Sequence, residues 1–227
     1  MTTITPDEMK SLETLFMSET GTPSILLMEH AAQGVAAAIA RHAPKSARVL
    51  FLCGPGNNGG DGYAAARLWC SGGGQADVWE VTSAVRGDAL TNRTLALLHG
   101  VRVLPSVDAV DVAEYAAVVD ALYGTGLNHA IEGDAAILIH RLNDNPQIPV
   151  IAVDIPSGLD GTTGRALGAD VVRAAETVTF HRIKQGLLLR QGVEYTGEIT
   201  VQPILIRPGD DLSLIHISEP TRLDVIS

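Results

Sequence analysis

Residues 48–69 read RVLFLCGPGNNGGDGYAAARLW. An unbroken apolar run, Val49 to Cys53, meets a burst of glycines and then an alanine-rich segment with helical spacing. That order predicts a strand, a tight loop and a helix, the usual setting for holding a phosphate at a helix start. Gly54, Gly56 and Gly59 satisfy Gly-x-Gly-x-x-Gly, the dinucleotide pattern, and Glu80 stands near the distance of a ribose-binding acid. The same segment scans as a triphosphatase loop, but Gly60 and Asp61 occupy the positions that need Lys and Ser or Thr. An acid there repels phosphate, so the triphosphatase reading fails. The loop also carries Asn57, Asn58 and Asp61, which a plain phosphate loop does not require. A bland alternative makes the segment a glycine turn with Asp61 capping the helix.

Outward from this unit the chain keeps the same rhythm. ADVWEV, VRVL, AAVVDAL, PVIAVD and ETVTF are further strand candidates, with helical patterns such as DALTNRTLALLHG and DAAILIHRLNDN between them. Short apolar runs separated by helices imply crossover units and a mostly parallel sheet covered on both faces, a three-layer Rossmann-like α/β fold. GEITVQPILI is expected at a sheet edge, because Pro203 cannot donate to a ladder. Two helices precede the first unit: PDEMKSLETLFMSETG, closing on Gly21, and SILLMEHAAQGVAAAIARHA, with Ser24 as candidate N-cap. Leu12, Leu15, Leu26, Leu27 and Met28 on these helices suggest a homodimer interface, since short helices need a packed partner. The domain is expected over residues 1–210. The tail, DLSLIHISEPTRLDVIS (residues 211–227), breaks the rhythm and resembles translated cloning DNA.

Composition narrows the function. The 227 residues are 46% hydrophobic and 19% charged, with a net charge of -10 and no basic block. Nucleic-acid binding driven by phosphate neutralisation is therefore not expected, and an anionic ligand would need local donors. The two cysteines, Cys53 and Cys70, suit core positions and a reducing compartment. The polar, acidic N-terminus lacks a signal-peptide core, and no apolar run is long enough to span a bilayer, so the expected location is the cytoplasm.

Two more loops repeat the chemistry of the first. VVDALYGTGLN puts Asp120 at a strand end before Gly124 and Gly126, and PVIAVDIPSGLDG puts Asp154 before Ser157 and Gly158. In a parallel sheet the carboxyl ends of the strands share one edge, so three polar loops converge there. His129 and His181 sit in no nucleophile or metal pattern. Lys184 follows a strand and suits either a phosphate contact or an exposed loop.

Taken together, LLMEHA (26–31), CGPGNNGGDGYAAAR, DALYGTGLN, AVDIPSGLDGTTG and TVTFHRIKQG, in this order, resemble the NAD(P)H-hydrate epimerase family, also known as the YjeF N-terminal domain. The resemblance runs from about Thr5 to about Pro208. It implies an isomerase that interconverts the R and S forms of NADH hydrate and NADPH hydrate, a repair of damaged nicotinamide cofactors. It assigns the substrate to Asn57, Asn58, Gly59, Gly60 and Asp61, to Gly124, Thr125, Gly126, Leu127, Asn128, His129 and Ala130, and to Asp154. It assigns a potassium ion to Asn58, Asp120 and Ser157, and makes Asp154 the candidate catalytic carboxylate. The family often has Arg where this chain has His129 and Ala130, so a phosphate contact must come from elsewhere or be weaker. Members are often fused to a hydrate dehydratase. A nicotinamide-dependent dehydrogenase would share only the first loop, and a non-catalytic binding module of this fold would tolerate loss of Asn58, Asp61, Asp120 and Asp154.

Overall fold

The computed structural model describes residues 3–207; the expectation for residues 211–227 lies outside them. In chain order the elements are β1 (Thr3–Ile4), α1 (Pro6–Thr20), α2 (Ser24–His42), β2 (Arg48–Cys53), α3 (Asn57–Ser71), β3 (Gln75–Glu80), α4 (Gly87–Leu98), β4 (Arg102–Val103), β5 (Ala117–Ala121), α5 (Gly133–Asn143), β6 (Val150–Val153), β7 (Glu176–Phe180), β8 (Ile183–Lys184), α6 (Gly192–Tyr195) and β9 (Glu198–Gln202). Seven strands form one sheet in the order β4-β3-β2-β5-β6-β7-β9. Every pairing in it is parallel, including β7 with β9 at the edge.

The period-2 alternation of a strand explains the layers. In β2, Val49, Phe51 and Cys53 face a core shared with α1, α2, α3 and α4. Leu50 and Leu52 face the opposite core, built with Leu138, Ile139 and Leu142 of α5. Strands buried on both faces read as continuous apolar runs, which is why the central ones were conspicuous in the sequence.

Strand order reverses between β2 and β5. From β2 the chain winds through β3 to β4 on one side, then returns to β5 and winds the other way. Such a switch point opens a crevice at the carboxyl ends of the two strands. Here it lies between the loops that follow Cys53 and Ala121.

The helix starts differ in chemistry. Thr5 caps α1 reciprocally: its hydroxyl accepts from the Glu8 amide at 3.2 Å, while its own amide donates to Glu8 Oε2 at 2.7 Å. Gly21 closes α1 in the left-handed region, with φ 68°. Ser24 is not the N-cap of α2. It is the first helical residue after Pro23, and its hydroxyl donates to Asp88 at the start of α4 instead of to its own helix. The two-residue strand β1 pairs with β8, matching Ile4 to Lys184. That small parallel pair ties the N-terminus to the segment after β7 and lays α1 beside the carboxyl edge of the main sheet.

Candidate functional site

The first loop is built by close approach. A Cβ on Gly54 would lie 1.6 Å from the Leu122 carbonyl oxygen, and one on Gly59 would lie 2.0 Å from the Gly54 carbonyl oxygen. Only glycine lets the start of α3 sit against β2 while the β2 and β5 loops touch. Helix α3 then begins at Asn57 without a side-chain cap. Its first-turn amides therefore lack intrahelical partners and suit an anion. Asp61 lies in the second turn of α3, so it is not a cap.

A cavity of about 560 Å³ opens at this switch point, within the size range of small-molecule sites. Asn57, Asn58 and Asp61 line it from the first loop, and Gly124, Thr125, Gly126, Leu127 and His129 line it from the second. Asp154 lines it from the third strand end, with Phe180 and Lys184 beyond. The convergence expected from the sequence is therefore realised. Gly59 and Gly60 are buried beneath the cavity; a Cβ on Gly60 would meet Met28 at 2.7 Å. Asn128 and Ala130 flank the lining residues of the second loop. The fourth wall is α1, through Pro6, Asp7, Met9, Lys10 and Glu13. None of these five was anticipated; only the continuation of TFHRIKQG into a strand that pairs with Thr3 and Ile4 could have pointed to them.

Asp154 stands in the left-handed region at φ 68°, a conformation that costs a non-glycine residue of order 1 kcal/mol or more and persists only when its surroundings fix it. They do. Its Oδ1 pairs with Lys184 Nζ at 2.6 Å and accepts from Thr179 Oγ1 at 3.3 Å. Lys184 is 1% exposed and also donates to the Phe180 carbonyl at 3.0 Å. It is thus neither an exposed loop lysine nor free for a phosphate. The ribose-acid expectation for Glu80 also changes. Arg93 holds Glu80 bidentately at 2.7 and 2.8 Å and the Tyr63 hydroxyl donates at 2.7 Å, so its acceptors are engaged inside the protein. Burial would raise that carboxyl, but the Arg93 and Tyr63 hydrogen bonds hold it below its ordinary value.

Asp120 is wholly buried and couples two loops. Its oxygens accept from the Ser157 amide at 2.8 Å, the Ser157 hydroxyl at 2.7 Å and the Leu122 amide at 3.3 Å. Ser157 Oγ in turn accepts from the Tyr123 amide at 2.9 Å. Burial pushes Asp120 up to about 6, with the Ser157 and Leu122 hydrogen bonds pulling it back. Three donors leave the carboxylate roughly one lone-pair direction, and the serine hydroxyl likewise keeps one. Across the crevice, Asn58 Nδ2 is buried without a partner, and Asn58 Oδ1 would lie 3.1 Å from a Cβ on Gly124. Amide oxygen and nitrogen are interchangeable assignments, so the orphaned position suits an oxygen ligand as well. Asn, Asp and Ser together offer only oxygen, a donor set for a hard cation such as potassium and not for zinc or copper. The residues present fit that ion.

A switch-point crevice in a parallel sheet, with a helix start, three polar strand-end loops, the buried carboxylate of Asp120 and the partly buried one of Asp154, defines a Rossmann-like α/β protein. Residues 24–186 match the family described as YjeF-related protein N-terminus, and the chain belongs to that family. Among similar proteins is the NAD(P)H-hydrate epimerase of Weissella koreensis, 35% identical over 201 residues, covering 88% of this chain and 90% of the relative. The bifunctional NAD(P)H-hydrate repair enzymes Nnr of Thermanaerovibrio acidaminovorans and Pyrobaculum aerophilum are 36% and 40% identical, over 91% and 85% of this chain. This chain spans 40% of the length of each of those two. The crystal structure of yeast ynu0, YNL200c, superposes with a TM-score of 0.79 at 22% identity, over 94% of this chain and 93% of that one, which establishes the shared fold.

Proposed function

We propose that this chain epimerises NADH hydrate and NADPH hydrate, interconverting their R and S forms as a repair of damaged nicotinamide cofactors. The observation that carries the proposal is the joint presence of three strand-end loops around one cavity, each with the side chains the family motifs carry. The start of α3 and the backbone of Gly124–Leu127 would receive the pyrophosphate. Lys10 on α1 lines the same cavity and is exposed, so it would supply the charge that the family often takes from Arg near His129.

Epimerisation leaves the ring's oxidation state unchanged. The hydroxyl-bearing carbon must lose and regain its hydroxyl, and the electron-poor ring formed meanwhile favours a nearby negative charge. Asp154, fixed by Lys184 and Thr179, would provide that charge at no cost of reorganisation. Its engagement with Lys184 suits an electrostatic role better than proton transfer. When bound at Asn58, Asp120 and Ser157, potassium would offset the buried Asp120 charge beside an anionic substrate.

The test is incubation with the R epimer of NADH hydrate and chromatographic separation of the products, with the spontaneous rate subtracted. Acceleration is expected, in potassium more than in tetramethylammonium. A rate equal to the blank rejects the activity, and hydride transfer to a carbonyl substrate would indicate a dehydrogenase instead. The same reading includes a homodimer, a cytoplasmic setting and, in the full-length protein, a fused hydrate dehydratase; the lengths of the bifunctional relatives support the last.

A further inference from the structure

Helix α1 brings to the cavity an acid that no motif announces. Glu13 is mostly buried and lines both the main cavity and an adjoining recess of about 110 Å³. Asp61, from α3, lines both as well, so the two carboxyls stand at the junction. The recess beyond them is largely apolar, with Met17, Leu27, Met28 and Ile204 in its wall. Asp61 is only 8% exposed and accepts no hydrogen bond among the described residues. Its carboxyl lines both cavities and is therefore open to a ligand there.

The charges around this pair are unbalanced. Asp154 and Lys184 face it from the third strand end and β8, Asp88 from the start of α4, and His129 from the rim. On α1 itself, Lys10 lies one turn before Glu13, with Asp7 beyond it. Lys184, the buried cation, is already paired with Asp154. Two further carboxyls lining one low-dielectric junction raise the cost of ionising there. Burial, and then the Asp154 charge, push Glu13 up to about 7 against the pull of Lys184. Asp61 is driven well above its ordinary value by burial, then by Asp154 and Glu13.

We propose that Glu13 is the catalytic acid and base of the epimerisation, standing with Asp61 at the mouth of the apolar recess. The inference rests on the epimerase reading. In the forward step the ring C–O bond breaks, its electron pair leaves with oxygen, and Glu13 donates the proton that makes this oxygen water. The ring nitrogen's lone pair fills the vacancy at carbon, opposite the charge of Asp154. A water then adds from the other face, and its proton returns to Glu13 through the solvent of the cavity. One water leaves and one enters, without oxidant or reductant. Asp154 holds charge and Glu13 moves the proton.

Glu13→Gln keeps the shape and removes the acid. It is expected to lower kcat by about 100-fold while KM moves far less, the usual size of a lost general acid. Wild-type kcat should fall as pH rises through about 7, whereas the residual rate of the variant should not. Glu13→Asp, which keeps an acid, should recover part of the rate. A readout independent of activity follows from linkage. A carboxyl whose folded value lies above its ordinary 4.5 contributes stability that is lost as pH rises through about 7. The Gln variant should therefore melt higher than wild type above neutrality and not near pH 4.5. A folded Glu13→Gln protein with wild-type kcat and an unchanged pH profile would overturn the assignment while leaving the epimerase reading intact. Wild type no faster than the blank would overturn both.

Discussion

At the residue scale, the side chains worth separating are Asp154 and Asp120, because each both pins a loop and carries charge. Asp154→Asn alone strands the buried Lys184, which on its own costs about 3 kcal/mol or more. Lost turnover in that variant would not distinguish chemistry from collapse. The double variant Asp154→Asn/Lys184→Met removes both charges and is expected to regain most of the melting temperature without regaining turnover. Recovery of both would reduce the pair to a loop pin. For Asp120 the sign of the pH effect is fixed by its direction of shift. Its folded value, about 6, lies above its ordinary 3.8, so its contribution to stability is present below 3.8 and lost as pH climbs through 6. A cation favours the charged form. Potassium is therefore expected to raise the melting temperature more at pH 8 than near pH 4, with tetramethylammonium as control. An equal gain at both pH values would remove the ion from Asp120. The acids of the loops were legible in the sequence because they stand at strand ends beside glycines. Glu13 was not, because an acid in an amphipathic helix looks like any solvated surface residue until the helix is docked.

At the scale of elements, what was legible and what was not divides along period. Strands β2, β5 and β6 announced themselves as apolar runs, β7 by its β-branched residues, and the helices by their spacing, although the cap expected at Ser24 was not one. The pair β1–β8 has two residues a side and hence no period to detect, yet it decides where α1 lies. Through α1 it decides that Lys10 and Glu13, one helical turn apart, reach the cavity. Loss of the Thr5 cap should therefore be felt in binding as well as in stability. Thr5→Ala is expected to cost about 1 kcal/mol and to weaken substrate affinity by loosening α1; unchanged affinity in a destabilised variant would mean that α1 is only a cover. The first loop offers a sharper comparison between neighbours. Gly56 has open space where a Cβ would go, whereas Gly54 has the Leu122 carbonyl at 1.6 Å. Gly56→Ala should cost less than about 1 kcal/mol, the scale of an N-cap change. Gly54→Ala must push the β2 loop off the β5 loop and is expected to abolish folding or activity. Equal melting temperatures for the two would contradict the packing described for the switch point.

At the scale of the whole molecule, the homodimer is the expectation that the fold reshapes most. Of the five apolar residues that suggested it, Leu12, Leu27 and Met28 are buried in this chain's own core, and Leu15 packs against that core. Their spacing signalled intrachain packing, and a sequence cannot distinguish the two uses of an apolar face. Leu26 remains, 46% exposed, and α4 adds Leu90 at 45%, Leu97 at 40% and Leu98 at 77%. Leu26 and Leu90 each follow by two residues the hydrogen-bonded pair Ser24 and Asp88, so they mark neighbouring turns at the starts of α2 and α4. Apolar side chains this exposed are ordinary when scattered, and mean contact with a partner when they gather. A dimer through this face would hold the α2 and α4 starts together beside the small recess, behind Glu13 and Asp61. Sedimentation velocity at micromolar concentration is expected to give twice the monomer mass. Leu26→Glu/Leu90→Glu is expected to give the monomer with its own melting transition intact, because neither side chain belongs to the core. A wild-type monomer would end the dimer, and a dimer untouched by the double variant would move its interface away from α2 and α4.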